Sequence, residues 1–203
     1  MNIVHLADCL PAMREMEDNA FDLAVVDPPY GIGNFNQDKH PSRPYNKNWA
    51  VTWNESAPAA EYFNHLLRIS QNTIIWGVNY YREYVPSGAA IVWDKGNNSD
   101  VGSQFEIASL SIGTRVVKYT EQWTGFCRSE KGEKIHPCQK PIALYKWIYA
   151  NYAKPGQTIL DTHVGSGSSR IAAWDAGLDF VGYEIDADYH AAQETISGTH
   201  ETG

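Results

Sequence analysis

With 203 residues, 43% of them apolar and 20% charged, the chain is sized for one domain around one buried core. No apolar run approaches the roughly 20 residues a membrane helix needs, and the first eight residues lack the basic start and apolar stretch of a signal peptide, so the protein is expected in the cytoplasm. A net charge of −8 speaks against a uniformly basic nucleic-acid binder, and three cysteines at irregular spacing, Cys9, Cys127 and Cys138, speak against a disulfide framework. Cys127, His136 and Cys138 lack the second ligand pair of a structural zinc site, and no metal is expected.

Taken in chain order, the apolar pattern predicts a strand over 3–6, a helix over 10–16 and a second strand over 22–27 that Pro28-Pro29 brings to a stop. The segment 31–56 is polar, rich in Asn, Pro and aromatic residues, and too long for a plain connection. Helical spacing returns over 58–70, followed by strands over 73–76, 89–93 and 105–112, with loops over 94–102 and 120–138. Pro141 opens a helix that runs to 152. The last third alternates: strand 158–161, glycine turn, helix to 176, strand 180–184, helix from 187. Strands alternating with helices predict an open α/β sheet, mostly parallel, with its ligands beyond the carboxyl ends of the strands.

Two segments carry chemistry. In Asp161-Thr162-His163-Val164-Gly165-Ser166-Gly167-Ser168-Ser169 a strand leaves into a glycine turn that opens a helix, and Glu184 ends the next strand, where a carboxylate suits ribose hydroxyls. A dinucleotide fingerprint asks for a small residue where Arg170 stands, so the pocket suits a nucleoside without a pyrophosphate, such as S-adenosylmethionine. The second segment, Asp27-Pro28-Pro29-Tyr30, directly follows a buried strand. An exocyclic amino group is a poor nucleophile because its lone pair is delocalised into the ring. Two acceptors, the Asp27 carboxylate and the Pro28 carbonyl, can hold its hydrogens and turn the lone pair toward a sulfonium methyl group. Tyr30 offers a ring on which an extruded base can stack, a role that needs the ring more than the hydroxyl.

Together with Gly31, His136-Pro137-Cys138-Gln139-Lys140-Pro141 and Gly182-Tyr183-Glu184-Ile185-Asp186, these segments resemble the DNA amino-methyltransferases in the permuted β-group order, catalytic segment first and cofactor segment last. The resemblance implies a single Rossmann-like methyltransferase domain over 1–203 with a seven-stranded sheet. Its catalytic half is 1–93, its strands and basic loop 94–135, and its cofactor half 136–203. It implies S-adenosylmethionine as donor, Asp27, Pro28, Pro29 and Tyr30 as the catalytic segment, and Glu184 on the ribose. It further implies that Asp8 approaches the cofactor adenine, that Asp161, His163, Gly165, Ser166, Gly167 and Ser168 form the cofactor turn, and that Lys140 lies near the methionine end. The alternative for Asp8 is that it only caps the following helix, and a lysine at a helix start is more often exposed. Where the family usually has Asp-Pro-Phe this chain has Asp161-Thr162-His163, which puts the packing beside the methionine part in doubt, and His163 reads as a satisfied polar neighbour rather than a base.

The partner implied is DNA. Over 115–154 eight Lys or Arg face three Glu, whereas beyond 154 only Arg170 opposes eight acids. Arg128, Lys131 and Lys134 in the basic stretch are expected to hold phosphates. So are Lys39, Arg43 and Lys47, which interleave with Tyr45, Trp49 and Trp53 in the long loop. Little chain is spare for target recognition, which is expected to be compact, loose or shared across a homodimer. Asp rather than Ser at position 27 favours adenine-N6 over cytosine-N4 in this family. A protein-amide methyltransferase would normally open the tetrapeptide with Asn, and an inactive cofactor- or DNA-binding module would not need it intact. No nuclease motif is present, so a restriction-modification role would need a second protein.

Overall fold

The computed structural model of the chain describes residues 1–33, 54–96, 103–123, 135–136 and 138–201, with side chains as far as 195. It opens on β1 (Asn2–Leu6). Asp8 then N-caps α1 (Cys9–Glu15), its carboxylate accepting from the Leu10 N–H at 3.0 Å. β2 (Phe21–Val26) alternates Leu23 and Val25 toward one face of the sheet and Ala24 and Val26 toward the other, and both faces are covered, as a central parallel strand requires. The ladder ends at Val26 because Pro28 and Pro29 have no N–H to donate. α2 (Ala60–Ile69) buries Tyr62, Phe63, Leu66 and Ile69 and runs straight into β3 (Ser70–Trp76).

β4 (Ala89–Asp94), β5 (Phe105–Leu110) and β6 (Val116–Thr120) follow, then α3 (Ile142–Tyr152), β7 (Thr158–Asp161), α4 (Ser168–Asp175), β8 (Asp179–Glu184) and α5 (Ala187–Glu201). Pro141 stands one position earlier than the sequence suggests, as the N-cap of α3. The strands form one sheet in the order β1-β8-β7-β2-β3-β5-β4-β6. Pairing is parallel except where β5 runs against β3 and β4. One apolar cluster, with Trp76, Trp93, Leu144, Ile148 and Phe180, packs α3 on one face; the other, with Met13, Phe63, Leu66 and Ile75, packs α1 and α2 opposite. Among the described residues no helix is long and apolar enough to cross a membrane.

The sheet has eight strands among the described residues where seven are expected from sequence. The addition is β6, an edge strand paired only with β4. Its residues alternate between exposed and half-buried, with Val116 66% exposed, so no buried apolar run announces it.

Connections diverge on either side of β2 and β7. From β2 the chain crosses through α2 to β3, from β7 through α4 to β8, on opposite sides. This is the switch point at which open α/β sheets bind ligands. Because β5 is antiparallel, its first residues, Phe105 and Glu106, lie at the same end of the sheet as the carboxyl ends of β3 and β4, with Glu106 opposite Trp93.

Gly182 in β8 lets the glycine turn settle on the strand. A methyl group there would overlap Val164 Cγ2 and come within 2.8 Å of Phe180 Cε1 and 3.3 Å of Val4 Cγ2. Gly182→Ala should therefore cost about 1–3 kcal/mol of stability by overpacking, read as a lowered urea midpoint at unchanged m-value; an unshifted midpoint would show that the turn is free to move away.

Candidate active site

A cavity of about 590 Å³ opens over the carboxyl ends of β1, β2, β7 and β8 and extends across β3, β4 and the start of β5, within the size range of small-molecule sites. It brings together Asp8, Asp27, Pro28, Pro29, Tyr30, Lys140, His163, Gly165, Ser166, Ser168 and Glu184 from segments far apart in sequence. Asp161 and Gly167 stand outside its wall. The loop residues Lys39, Arg43, Lys47, Tyr45, Trp49 and Trp53 and the basic residues Arg128, Lys131 and Lys134 lie outside the described residues, as does Cys127. Among the described residues no group of three or more His, Cys, Asp or Glu could hold a metal ion.

On the glycine-turn side, Glu184 closes β8 with its carboxylate fixed twice: Oε2 accepts from the Gly165 N–H at 2.8 Å and Oε1 from the Asp186 N–H at 2.9 Å. Burial raises its pKa against those two backbone donors. Asp161 supports the turn from behind, accepting from Ser169 Oγ at 2.5 Å and from the His163 N–H at 3.0 Å. Asp8, besides capping α1, lines the cavity. His163 is a satisfied neighbour. Its Nδ1 lies 2.9 Å from Thr162 Oγ1, which in turn meets Tyr62 Oη at 2.6 Å, and its ring stands edge-on to Tyr62.

On the other side, Asp27 follows β2 and both of its oxygens are engaged. Tyr30 donates its hydroxyl to Oδ1 at 2.7 Å, and the Lys140 ammonium bonds Oδ2. The hydroxyl of Tyr30, which stacking alone would leave idle, is thus tied to the carboxylate. The Tyr30 ring stacks on Tyr80 at 4.7 Å and passes close over Gly77, whose left-handed φ of +78° and missing Cβ admit it. Tyr81 donates to the Pro28 carbonyl at 2.8 Å, and Asn54 accepts from the Tyr30 N–H at 3.0 Å while donating to the Gly33 carbonyl at 2.9 Å, so the turn from Asp27 to Tyr30 is held from both sides.

Lys140 is neither exposed nor open to an incoming carboxylate. Its side chain is 4% exposed, its Nζ bonds Asp27 and lies 2.9 Å from Glu106 Oε2, and it sits over the Trp76 ring at 5.4 Å. Glu106 pairs through Oε1 with Lys95. Burial disfavours both charges, yet each is outweighed by its partners: the Lys140 pKa is raised by Asp27 and Glu106, and that of Glu106 lowered by Lys140 and Lys95. Glu106, Lys95, Asn54, Tyr80 and Tyr81 belong to no motif legible in the sequence; the one signal is a carboxylate inside the apolar run Phe105-Glu106-Ile107-Ala108.

Comparison with known proteins gives the family and the fold. Residues 51–195 match the profile of a family described as DNA methylase. The type II methyltransferase M2.DpnII of Streptococcus pneumoniae is 28% identical over 163 residues, 75% of this chain; the match spans about half of that protein, 52% of its length. Among solved structures, the M1.HpyAVI–SAM complex superposes with a TM-score of 0.61 at 17% identity, covering 96% of this chain and 98% of that one. The PvuII DNA methyltransferase, cytosine-N4-specific, gives 0.63 at 11%, covering 99% and 92%. At these identities the superpositions show the fold.

Two buried groups of the glycine turn titrate in opposition. Burial raises the Asp161 carboxyl from an ordinary 3.8 to about 7 and lowers His163 from 6.5 to about 4. Between pH 4 and 6.5 the folded chain carries a proton on Asp161 that the unfolded chain lacks, and the unfolded chain one on His163 that the folded chain lacks. The first makes stability fall with rising pH, the second makes it rise. Measured against wild type by urea unfolding, His163→Phe should lose relative stability as pH rises from about 4 to 6.5, and Asp161→Asn should gain it from about 4 to 7. Differences independent of pH would mean that neither group is held in its buried form.

Proposed function

The chain belongs to the DNA methylase family, and on that footing we propose that it is a site-specific DNA methyltransferase that moves a methyl group from S-adenosylmethionine to the exocyclic N6 of adenine. One observation carries the reading: Asp27-Pro28-Pro29-Tyr30 and the glycine turn with Glu184 face one cavity from adjacent strand ends. The residues present fit the donor. A carboxylate fixed beside a glycine turn suits ribose hydroxyls, Asp8 and Glu184 suit a cation, and Ser166 and Ser168 supply hydroxyls. Asp8, His163, Gly165, Ser166, Ser168 and Glu184 would hold it, with Asp161 and Gly167 shaping the turn. When bound, S-adenosylmethionine supplies an electrophilic sulfonium methyl.

Asp27 and the Pro28 carbonyl accept the two amine hydrogens, which turns the nitrogen lone pair out of conjugation and into line with the methyl group. The N–C bond forms as the C–S pair returns to sulfur, and the methylated amine then loses its extra proton to water. In the free protein the Tyr30 hydroxyl holds the place on Asp27 Oδ1 that the amine takes, and the stacked Tyr30 and Tyr80 rings wall the base pocket. Adenine is favoured by Asp at position 27. The DNA duplex is held by the basic stretch with Arg128, Lys131 and Lys134 and by Lys39, Arg43 and Lys47. A cytosine-N4 outcome is the alternative, given the PvuII likeness in fold.

Labelled S-adenosylmethionine and mixed-sequence duplex DNA should yield N6-methyladenine, identified by nucleoside chromatography; N4-methylcytosine would move the target, and no methylated base would end the reading. Asp27→Ala should bind the donor normally and lose methyl transfer by several orders of magnitude, since its contacts are realised in the transition state. Glu184→Ala should instead weaken donor binding by about 1.5–3 kcal/mol, measured by calorimetry.

A further inference from the structure

Asp27 belongs to a chain of four alternating charges. Lys140 bridges its Oδ2 to Glu106 Oε2, and Lys95 closes on Glu106 Oε1. The bridging ammonium is the most deeply buried member, 4% exposed, against 16% for Asp27 and 20% for Glu106. Four places in the chain supply the charges: the turn after β2, the residue before the N-cap of α3, and the facing ends of β4 and β5, where Trp93 pairs with Glu106 and Lys95 follows.

The order of the charges has a chemical consequence. A lone buried ammonium on Asp27 would neutralise the carboxylate and leave it a weak acceptor for an incoming amine. Here the ammonium is divided between two carboxylates, and the second cation stands at the far end, on Glu106. The cluster is neutral as a whole, yet its negative terminus is Asp27, facing the cavity and, among the described residues, otherwise capped by the Tyr30 hydroxyl.

We infer that Glu106 is a positioning residue for methyl transfer: by sharing Lys140 with Asp27 it leaves the Asp27 carboxylate enough uncompensated charge to accept the substrate amine, while Lys95 keeps the cluster neutral. This deepens the proposed function and rests on it. Glu106 touches neither donor nor base in this role; it acts through Lys140.

The test compares three proteins in single-turnover methylation, donor calorimetry and thermal melting: wild type, Glu106→Gln, and the charge-balanced double variant Lys95→Met/Glu106→Gln. Glu106→Gln, with Lys140 given over to Asp27, should slow transfer about 10- to 100-fold, the rate equivalent of one charge-assisted hydrogen bond. Its donor affinity should change less than about 2-fold, as expected when only the transition state is affected. The double variant should recover the melting temperature and remain slow. Recovery of both stability and rate in the double variant would overturn the inference, because charge balance alone would then be what Glu106 provides. So would a wild-type rate in Glu106→Gln, or a loss of donor affinity as large as the loss of rate. A wild-type protein that binds the donor and methylates no base would instead overturn the underlying reading, and the inference with it.

Discussion

An ammonium almost wholly buried at the wall of the cavity fixes the geometry of this protein's active end. Moving a charged amine out of water is costly, and removing one partner of a buried pair costs far more than the pair contributes. Lys140 therefore requires that Asp27 and Glu106 arrive together, although Asp27 precedes it by 113 residues. That demand ties the turn after β2, the start of α3 and the first residues of β5 to one point. The antiparallel course of β5 is what meets it: had β5 run parallel to its neighbours, Glu106 would stand at the opposite end of the sheet.

A second constraint holds the other half of the cavity, and it is made of backbone. Gly165 gives its N–H to Glu184, and the Val164 N–H bonds the Tyr183 carbonyl, so the glycine turn is sewn to the end of β8. Such a turn needs support from below, and the relay from Tyr62 through Thr162 to His163 supplies it with polar contacts where the resembling family uses an aromatic ring. Each hydroxyl in that relay has a partner, as buried polar groups require. The substitution of Thr162-His163 is thus accommodated as a pair, together with Tyr62 of α2, rather than by one residue filling the space of another.

Legibility in the sequence followed how local each signal was. The Pro28-Pro29 stop after an apolar strand and the Gly165-Ser166-Gly167 turn are written in consecutive residues, and the carboxyl-end position of Asp27 and Glu184 follows from the strand pattern. β6 was missed because an edge strand with one neighbour needs no continuous apolar face. Glu106 and Lys95 were missed because their meaning is a cross-strand pairing: in sequence each is one charged residue near a strand end, and only the register that sets Trp93 against Glu106 makes them neighbours. Lys140 was seen at the head of its helix but not as a bridge, since its two partners lie on other elements.

A cationic donor and an anionic duplex make opposite demands on one protein, and the charge layout answers them in different places. The glycine-turn side of the cavity presents Asp8 and Glu184, with Asp161 behind them, its carboxyl pushed up by burial; the two lining carboxylates suit a sulfonium. The Asp27 side is balanced carboxylate for ammonium by Lys140 and Lys95, so the cluster adds no net charge to that side while its carboxylate end still faces the cavity. Eight of the chain's sixteen Lys and Arg fall within 115–154, Lys140 among them being committed to Asp27 and Glu106; such a local excess is what phosphate contacts call for. Screening over about 8 Å at physiological salt keeps these regions from cancelling one another. A net charge of −8 is then compatible with DNA as substrate, because a local excess of cations can hold phosphates whatever the sign of the total charge.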